Sequence, residues 1–155
     1  MTSANHKILF VMADLRGGGA ERVLITLANA LHQRGHDVRI LLFHSLIAYP
    51  GELHEAIPIR AIVTDGKPVA LRVWKVLHNI ISEASQSDIV IGGLEGWPTF
   101  LAWIAARITH RHVIAWVHTD LNIFSKTWST LTRLLFRLPY KHVDAIVCVS
   151  KGVSE

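Results

Sequence analysis

The sequence predicts a three-layer α/β domain, a parallel sheet covered by helices on both faces. Two observations carry this. Short, almost continuously apolar runs alternate with longer segments of helical period along the whole chain. Those runs lack the polar alternation of a half-exposed strand, as strands buried on both faces require. Composition agrees: 155 residues, 50% hydrophobic and 18% charged, suffice for one domain with its own core and exclude a disordered chain. With right-handed crossovers such a sheet is doubly wound and Rossmann-like, a single domain spanning residues 1–155.

The elements follow in order. KILFVMA, Lys7 to Ala13, reads as a first buried strand. ERVLITLANALHQRG reads as a helix with Val23, Leu24, Leu27 and Leu31 on one face, and Gly35 as its C-terminal stop. DVRILLFH, Asp37 to His44, is the second strand, and IPIRAIV, Ile57 to Val63, the third. Pro58 confines that third strand to a sheet edge or a strand beginning. PVALRVWKVLHNIISEAS is helical, with Val69, Val73, Val76, Leu77 and Ile80 in register. DIVIGG is strand four, and Pro98 opens the helix PTFLAWIAARIT. HVIAWVH is strand five, WSTLTRLLFRLPYKH a helix, and DAIVCVS strand six.

A formal charge of +4 and a pI near 9.6 favour anionic partners such as phosphates, nucleotides or lipid head groups. The lone Cys148 excludes a disulfide framework and reads as a buried structural thiol. No His/Cys spacing resembles a zinc site, so no metal or cofactor is expected. The N-terminal apolar stretch runs directly into Asp14 and Arg16 without a cleavage pattern. No uncharged stretch reaches the ~20 residues that span a bilayer. The expectation is a cytoplasmic protein, at most peripheral on the inner face of the membrane. Aromatic residues are not interleaved with a basic stripe, so nucleic acid is not an expected partner.

In a doubly wound sheet the ligand crevice lies outside the carboxyl ends of the strands. That selects Gly17-Gly18-Gly19, His44, Gly92 to Trp97, His118 to Asp120 and Ser150 to Gly152. Three glycines at a strand-to-helix turn either make the turn tight or let a phosphate or carboxylate approach the helix N-terminus. A dinucleotide fingerprint is incomplete. Arg22 stands where the third glycine belongs, and strand two ends Phe43-His44-Ser45 without a carboxylate. No Gly-Lys-Ser/Thr completes a P-loop.

GGGAERVLITLANALHQRGHDVRILLF resembles the opening of family 4 glycosyltransferases, retaining enzymes of the GT-B fold. VHTDL, Val117 to Leu121, and VCVSKGVSE, Val147 to Glu155, match further family segments in order. The resemblance implies the N-terminal, acceptor-side domain, the first half of a GT-B fold, with the donor-binding domain absent. It places Gly18 and Gly19 in the interdomain cleft near donor diphosphate and acceptor, and His118 facing the donor sugar as the catalytic residue. It implies a nucleotide-sugar donor held through the missing domain, and a sugar or lipid-linked acceptor. This chain alone is then expected to be inactive.

Other residues carry two readings each. Glu95 projects toward the acceptor side, and Trp97 either stacks on a sugar or lipid or staples the next helix. Asp120 contacts acceptor hydroxyls or caps a turn, and Ser150 and Lys151 open a solvated helix. Lys126 to His142 combines Lys126, Arg133, Arg137 and Lys141 with Trp128 and a leucine-rich face. It either lies on an anionic membrane or packs its apolar face on the sheet. Two other function classes stand beside the enzyme: a non-catalytic scaffold subunit that recruits a separate donor-binding chain, and a nucleotide-dependent oxidoreductase.

Overall fold

The computed structural model describes residues 5–48, 51–63, 68–119 and 129–149. In chain order these form β1 (Lys7–Met12), α1 (Gly19–Gln33), β2 (Asp37–His44) and β3 (Ile59–Val63). A 3₁₀ turn (Val69–Arg72) runs into α2 (Val73–Ser85), followed by β4 (Ile89–Gly92), α3 (Trp97–Thr109) and β5 (His112–Val117). Then come α4 (Thr130–Arg137), a 3₁₀ turn (Pro139–Lys141) and β6 (Ala145–Cys148). Among the described residues the sheet has six strands in the order β3-β2-β1-β4-β5-β6. Every pair is parallel. The doubly wound, Rossmann-like class is therefore observed.

Register follows from apolar matching. Phe10 of β1 stands opposite Ile40 of β2 and Ile91 of β4, all three buried. Side chains alternate across the sheet, so β1 feeds two cores. Phe10 and Met12 meet Leu24, Ile25 and Ala28 of α1 on one face. Leu9 and Val11 meet Val76 and Ile80 of α2 and Leu101 and Ala105 of α3 on the other.

Right-handed crossovers explain this division. The connection from β1 to β2 runs toward one edge, and those through α2, α3 and α4 run toward the other. Their helices must then lie on opposite faces. Phe136 of α4 packs on α3 in edge-on contact with Trp97 and Phe100, at centroid distances of 5.1 and 5.3 Å.

Local chemistry ends the helices where the structure needs it. At the end of α1, Gly35 adopts φ +89°, its N–H donates to the His32 carbonyl at 2.9 Å and that of His36 to Leu31 at 3.2 Å. This is a Schellman closure, which glycine permits without side-chain strain. Asn5 lies close by, 3.3 Å from where a Gly35 Cβ would stand. Gly92 and Gly93 are small for a different reason. A Cβ on Gly92 would lie 2.6 Å from the Thr99 Cα, and one on Gly93 would overlap the Met12 sulfur. These two glycines let α3 and the β1 side chains close on the end of β4.

Four expectations need correction. Val23 faces solvent at 46% exposure, and the buried stripe of α1 contains Ile25 and Ala28 besides Leu24. At 100° per residue, Leu24 facing inward swings Val23 away from the sheet. The sequence predicts one helix over 128–142, but α4 stops at Arg137 and a separate 3₁₀ turn begins at Pro139, which cannot donate a helical hydrogen bond. Cys148 is half-buried rather than buried, because β6 is a sheet edge with Ile146, Val147 and Val149 exposed. Finally, α4 turns its leucines outward. Leu131 and Leu134 are 67% and 69% exposed, and Phe136 is its buried residue.

At the opposite end of the sheet from the crevice, Asp144 closes the β5–β6 pairing. Its Oδ2 accepts from the Val113 N–H at 2.7 Å, and its own N–H donates to the Val113 carbonyl at 2.9 Å. That Val113 amide, helped by His112 at 3.6 Å, holds the Asp144 carboxyl below the usual carboxylate range. A depressed folded pKa stabilises the fold above the unfolded value, about 3.9, and the contribution disappears as pH falls through the folded value. Asp144→Ala is expected to lower stability at pH 7 by about 1 kcal/mol or less, since the carboxylate is half exposed. Denaturant unfolding of both proteins at pH 7 and pH 3 measures it, and the gap narrows at the lower pH.

Candidate active site

Because all strands are parallel, the loops after β1, β2, β4 and β5 gather at one end of the sheet. The loop after β1 is fixed to that after β2. Leu15 N–H donates to the Leu46 carbonyl at 2.8 Å, and Ala48 N–H to Leu15 at 2.7 Å. Asp14 is buried beneath this loop and takes Arg16 Nε at 2.9 Å and Nη2 at 2.6 Å. The Asp14 partner raises the Arg16 pKa further above its usual value.

The three glycines divide their work. Gly17 has φ +116°, a left-handed conformation that favours glycine. Gly18 is the N-cap of α1 with extended backbone and no side-chain cap. Glu21 folds back over it, its Cδ 3.2 Å from where a Gly18 Cβ would stand. The positive end of α1 thus faces a carboxylate of its own helix, in the manner of half a capping box. Gly19 differs, because a Cβ built there meets nothing within 4 Å. Backbone conformation explains Gly17, and contacts among the described residues leave Gly19 unexplained.

His118 directly follows β5. Its ring lies against Trp116, two residues earlier on the same face, with centroids 4.9 Å apart. Nε2 stands 3.1 Å from the Gly93 carbonyl at the end of β4. A carbonyl oxygen only accepts, so Nε2 carries the hydrogen and the neutral ring keeps its lone pair on Nδ1. Trp116 belongs to the core that α1 covers, which puts His118 on the same side of the sheet as the glycine turn.

Glu95 comes from the turn after β4 and is 7% exposed. Its Oε1 accepts from the backbone N–H of His118 at 2.5 Å and of Thr119 at 2.6 Å. Gly96, with φ +78°, completes that turn and starts α3. Thr99 Oγ1 secures it by donating to the Leu94 carbonyl at 2.7 Å. Beside Glu95 lies an apolar cavity of about 360 Å³, lined by Phe43, Val69, Trp97, Pro98 and Phe136 among others. Trp97 also packs edge-on against Phe100. Its ring thus packs against α3 and α4 side chains while also lining the cavity. Tyr140 packs nearby, and burial pushes its hydroxyl pKa well above the usual value.

The sequence-selected residues do not all meet. Glu95 and His118 are in direct contact, and Gly17 to Gly19 share their end of the sheet. His44 leaves β2 at the same end and donates its N–H to the Ala13 carbonyl. Asp120, Ser150, Lys151, Gly152 and Lys126 to Trp128 lie outside the described residues. What the sequence did not disclose is the engagement of Glu95 by two backbone amides, since no local motif announces such a contact. Among the described residues no group of three or more His, Cys, Asp or Glu is placed to hold a metal ion. A second cleft, of about 290 Å³, opens at the other end of the sheet. Its charges are consumed internally: Arg39 pairs with Asp37 at 3.2 Å and with Glu83 at 3.7 Å, and Arg60 with Glu83 at 3.3 Å.

Comparison with known proteins fits this geometry. The chain is 33% identical over 149 residues to a Campylobacter jejuni alpha-1,4-N-acetyl-D-galactosaminyltransferase, covering 90% of this chain and 39% of that protein. That relative's name gives its acceptor as a diphosphoundecaprenol-linked GalNAc saccharide. Among solved structures, HepE of Anabaena with bound UDP-glucose superposes with a TM-score of 0.73 at 21% identity, over 96% of this chain and 39% of that one. MurG of Acinetobacter baumannii gives 0.58 at 18% identity, over 93% and 42%. These two show the fold. The chain spans about two fifths of each of these proteins. The sequence profile of Glycosyltransferase Family 4 matches residues 17–155, from the glycine turn onward, and the chain belongs to that family.

Proposed function

We propose that this chain is the N-terminal, acceptor-side domain of a retaining glycosyltransferase. It would act with a donor-binding domain, moving a sugar from a nucleotide-sugar to a glycan or lipid-linked acceptor. The observation that carries this reading is His118, held at the carboxyl end of β5 with its Nε2 committed to Gly93. The neutral ring offers Nδ1 to the proton of a sugar hydroxyl, and the protonated ring offers an N–H to charge developing as the glycosidic bond breaks. The space beside Gly19 is the room a diphosphate or acceptor would need at the same rim. The bound UDP-glucose of HepE and the lipid-linked acceptor of the Campylobacter enzyme are the kinds of donor and acceptor this reading draws on.

In the complete enzyme, His118→Ala is expected to lower turnover at saturating substrates by roughly 10²–10³. Circular dichroism should stay parental, and His118→Gln should fall between the two. Parental turnover in the Ala variant would place His118 outside the chemistry, and the site would then have to be sought at Glu95 or Asp120. Gly19→Val should leave thermal stability near the parent, because its side chain enters open space. It should raise KM for donor or acceptor, and a collapse of stability without a change in affinity would make the turn structural.

Peripheral membrane contact belongs to the same proposal. Leu131, Leu134, Leu135 and Leu138 form an exposed stripe along and just beyond α4, with Arg137 and Lys141 also exposed. No helix among the described residues is long and apolar enough to cross a membrane. An apolar stripe flanked by cations suits the interface of an anionic bilayer. Leu131→Asp together with Leu134→Asp should abolish sedimentation with vesicles containing anionic phospholipid while leaving the protein folded. Equal sedimentation of both proteins would remove the membrane from the proposal.

A further inference from the structure

We propose that Glu95 is a positioning residue that sets the place and tautomer of His118, an inference that rests on the reading of His118 above. Its side chain comes from the turn after β4, crosses to the end of β5, and accepts two successive backbone N–H groups through one oxygen, at 2.5 and 2.6 Å. A carboxylate that is 7% exposed needs such donors, because an unpaired buried charge is strongly disfavoured. Two amides from residues 118 and 119 fill that need where the chain leaves the sheet, beyond the regular β5 ladder. The grip therefore fixes the backbone at the point from which the imidazole projects.

The ring is then held from two further sides. Trp116 packs against it at 4.9 Å, and the Gly93 carbonyl receives its Nε2–H at 3.1 Å. That carbonyl lies two residues before Glu95 in the same turn. One short segment, Gly93 to Glu95, thus determines both where the His118 backbone sits and which ring nitrogen carries hydrogen. Glu95 takes no part in chemistry through its Oε1, which is already occupied. It acts through His118.

Nuclear magnetic resonance on the 155-residue chain tests this without any substrate. In the parent, the His118 and Thr119 amides should exchange slowly with solvent, and the ring ¹⁵N shifts should report hydrogen on Nε2 in the neutral form. Glu95→Ala should speed exchange at both amides by roughly 10- to 100-fold, the effect of losing a hydrogen bond to a charged acceptor. It should also turn the ring into a mixture of tautomers. Glu95→Gln keeps an acceptor oxygen of the same reach and should restore most of the protection, so it decides the matter if the Ala variant does not fold. His118→Ala should leave the Thr119 amide protected, since Glu95 grips the backbone. Parental exchange at these amides as fast as in an unfolded peptide, an unchanged tautomer in Glu95→Ala, or unprotected amides in a folded Glu95→Gln would overturn the proposal. Failure of the His118 reading itself would appear separately, as normal turnover of His118→Ala with the amides still protected.

Discussion

Parallel pairing of β1 with β2 on one side and with β4 on the other is the constraint on which the rest depends. It makes β1 the most enclosed strand, with Phe10, Val11 and Met12 wholly buried. It also sends successive connections in opposite directions, so right-handed crossovers must place α1 on one face and α2 and α3 on the other. A parallel sheet has all carboxyl ends on one side. The glycine turn, the turn after β4 and the residue after β5 therefore come together although some 100 residues separate Gly18 from His118. The crevice is a consequence of chain direction before any side chain is chosen.

Side chains then specialise what topology brings together. Gly92 and Gly93 admit close packing against α3 and Met12, which brings the turn after β4 down onto the end of the sheet. Only from there does the Gly93 carbonyl reach the His118 ring, and only from there does Glu95 reach the β5 backbone. Larger residues would push the turn away. Placement of the histidine is therefore inherited from steric requirements two strands removed. Gly19 stands apart, since among the described residues nothing lies within 4 Å of where its Cβ would stand.

Much of the architecture was readable because burial on both faces leaves a simple mark. Strands β1, β2, β4 and β5 are short apolar runs, and the helices between them carry a 3.6-residue period. Pro58 left β3 either a strand beginning or a sheet edge, and it stands just before Ile59, the first residue of a strand that is also an edge. Other features depend on neighbours that lie far away in sequence. Val23 and Ile25 are equally apolar, and only the docking angle of α1 decides which one is buried. Cys148 sits in a run as apolar as β1, yet β6 is an edge and leaves it half-covered. Sequence periodicity reports that a helix is amphipathic but not which way its apolar face turns. For α4 that face turns outward.

The same limit applies at the candidate site. Position puts His118 on the crevice list, as a polar residue at the end of a buried strand, and only the family resemblance singles it out as catalytic. Position selects Glu95 too, as a carboxylate facing the crevice, and suggests contact with an acceptor. In the structure one of its oxygens accepts from two amides of another strand. A carboxylate read in sequence is a charge in search of a partner, and the partner can equally be a ligand or the backbone. Backbone donors carry no sequence signature, because every residue except proline has one. Polar residues that serve the chain itself therefore resemble polar residues that serve a substrate until the fold is known. Their separation follows from counting which lone pairs the protein has already used: at Glu95 one oxygen is committed, whereas at His118 Nε2 is committed and the lone pair lies on Nδ1.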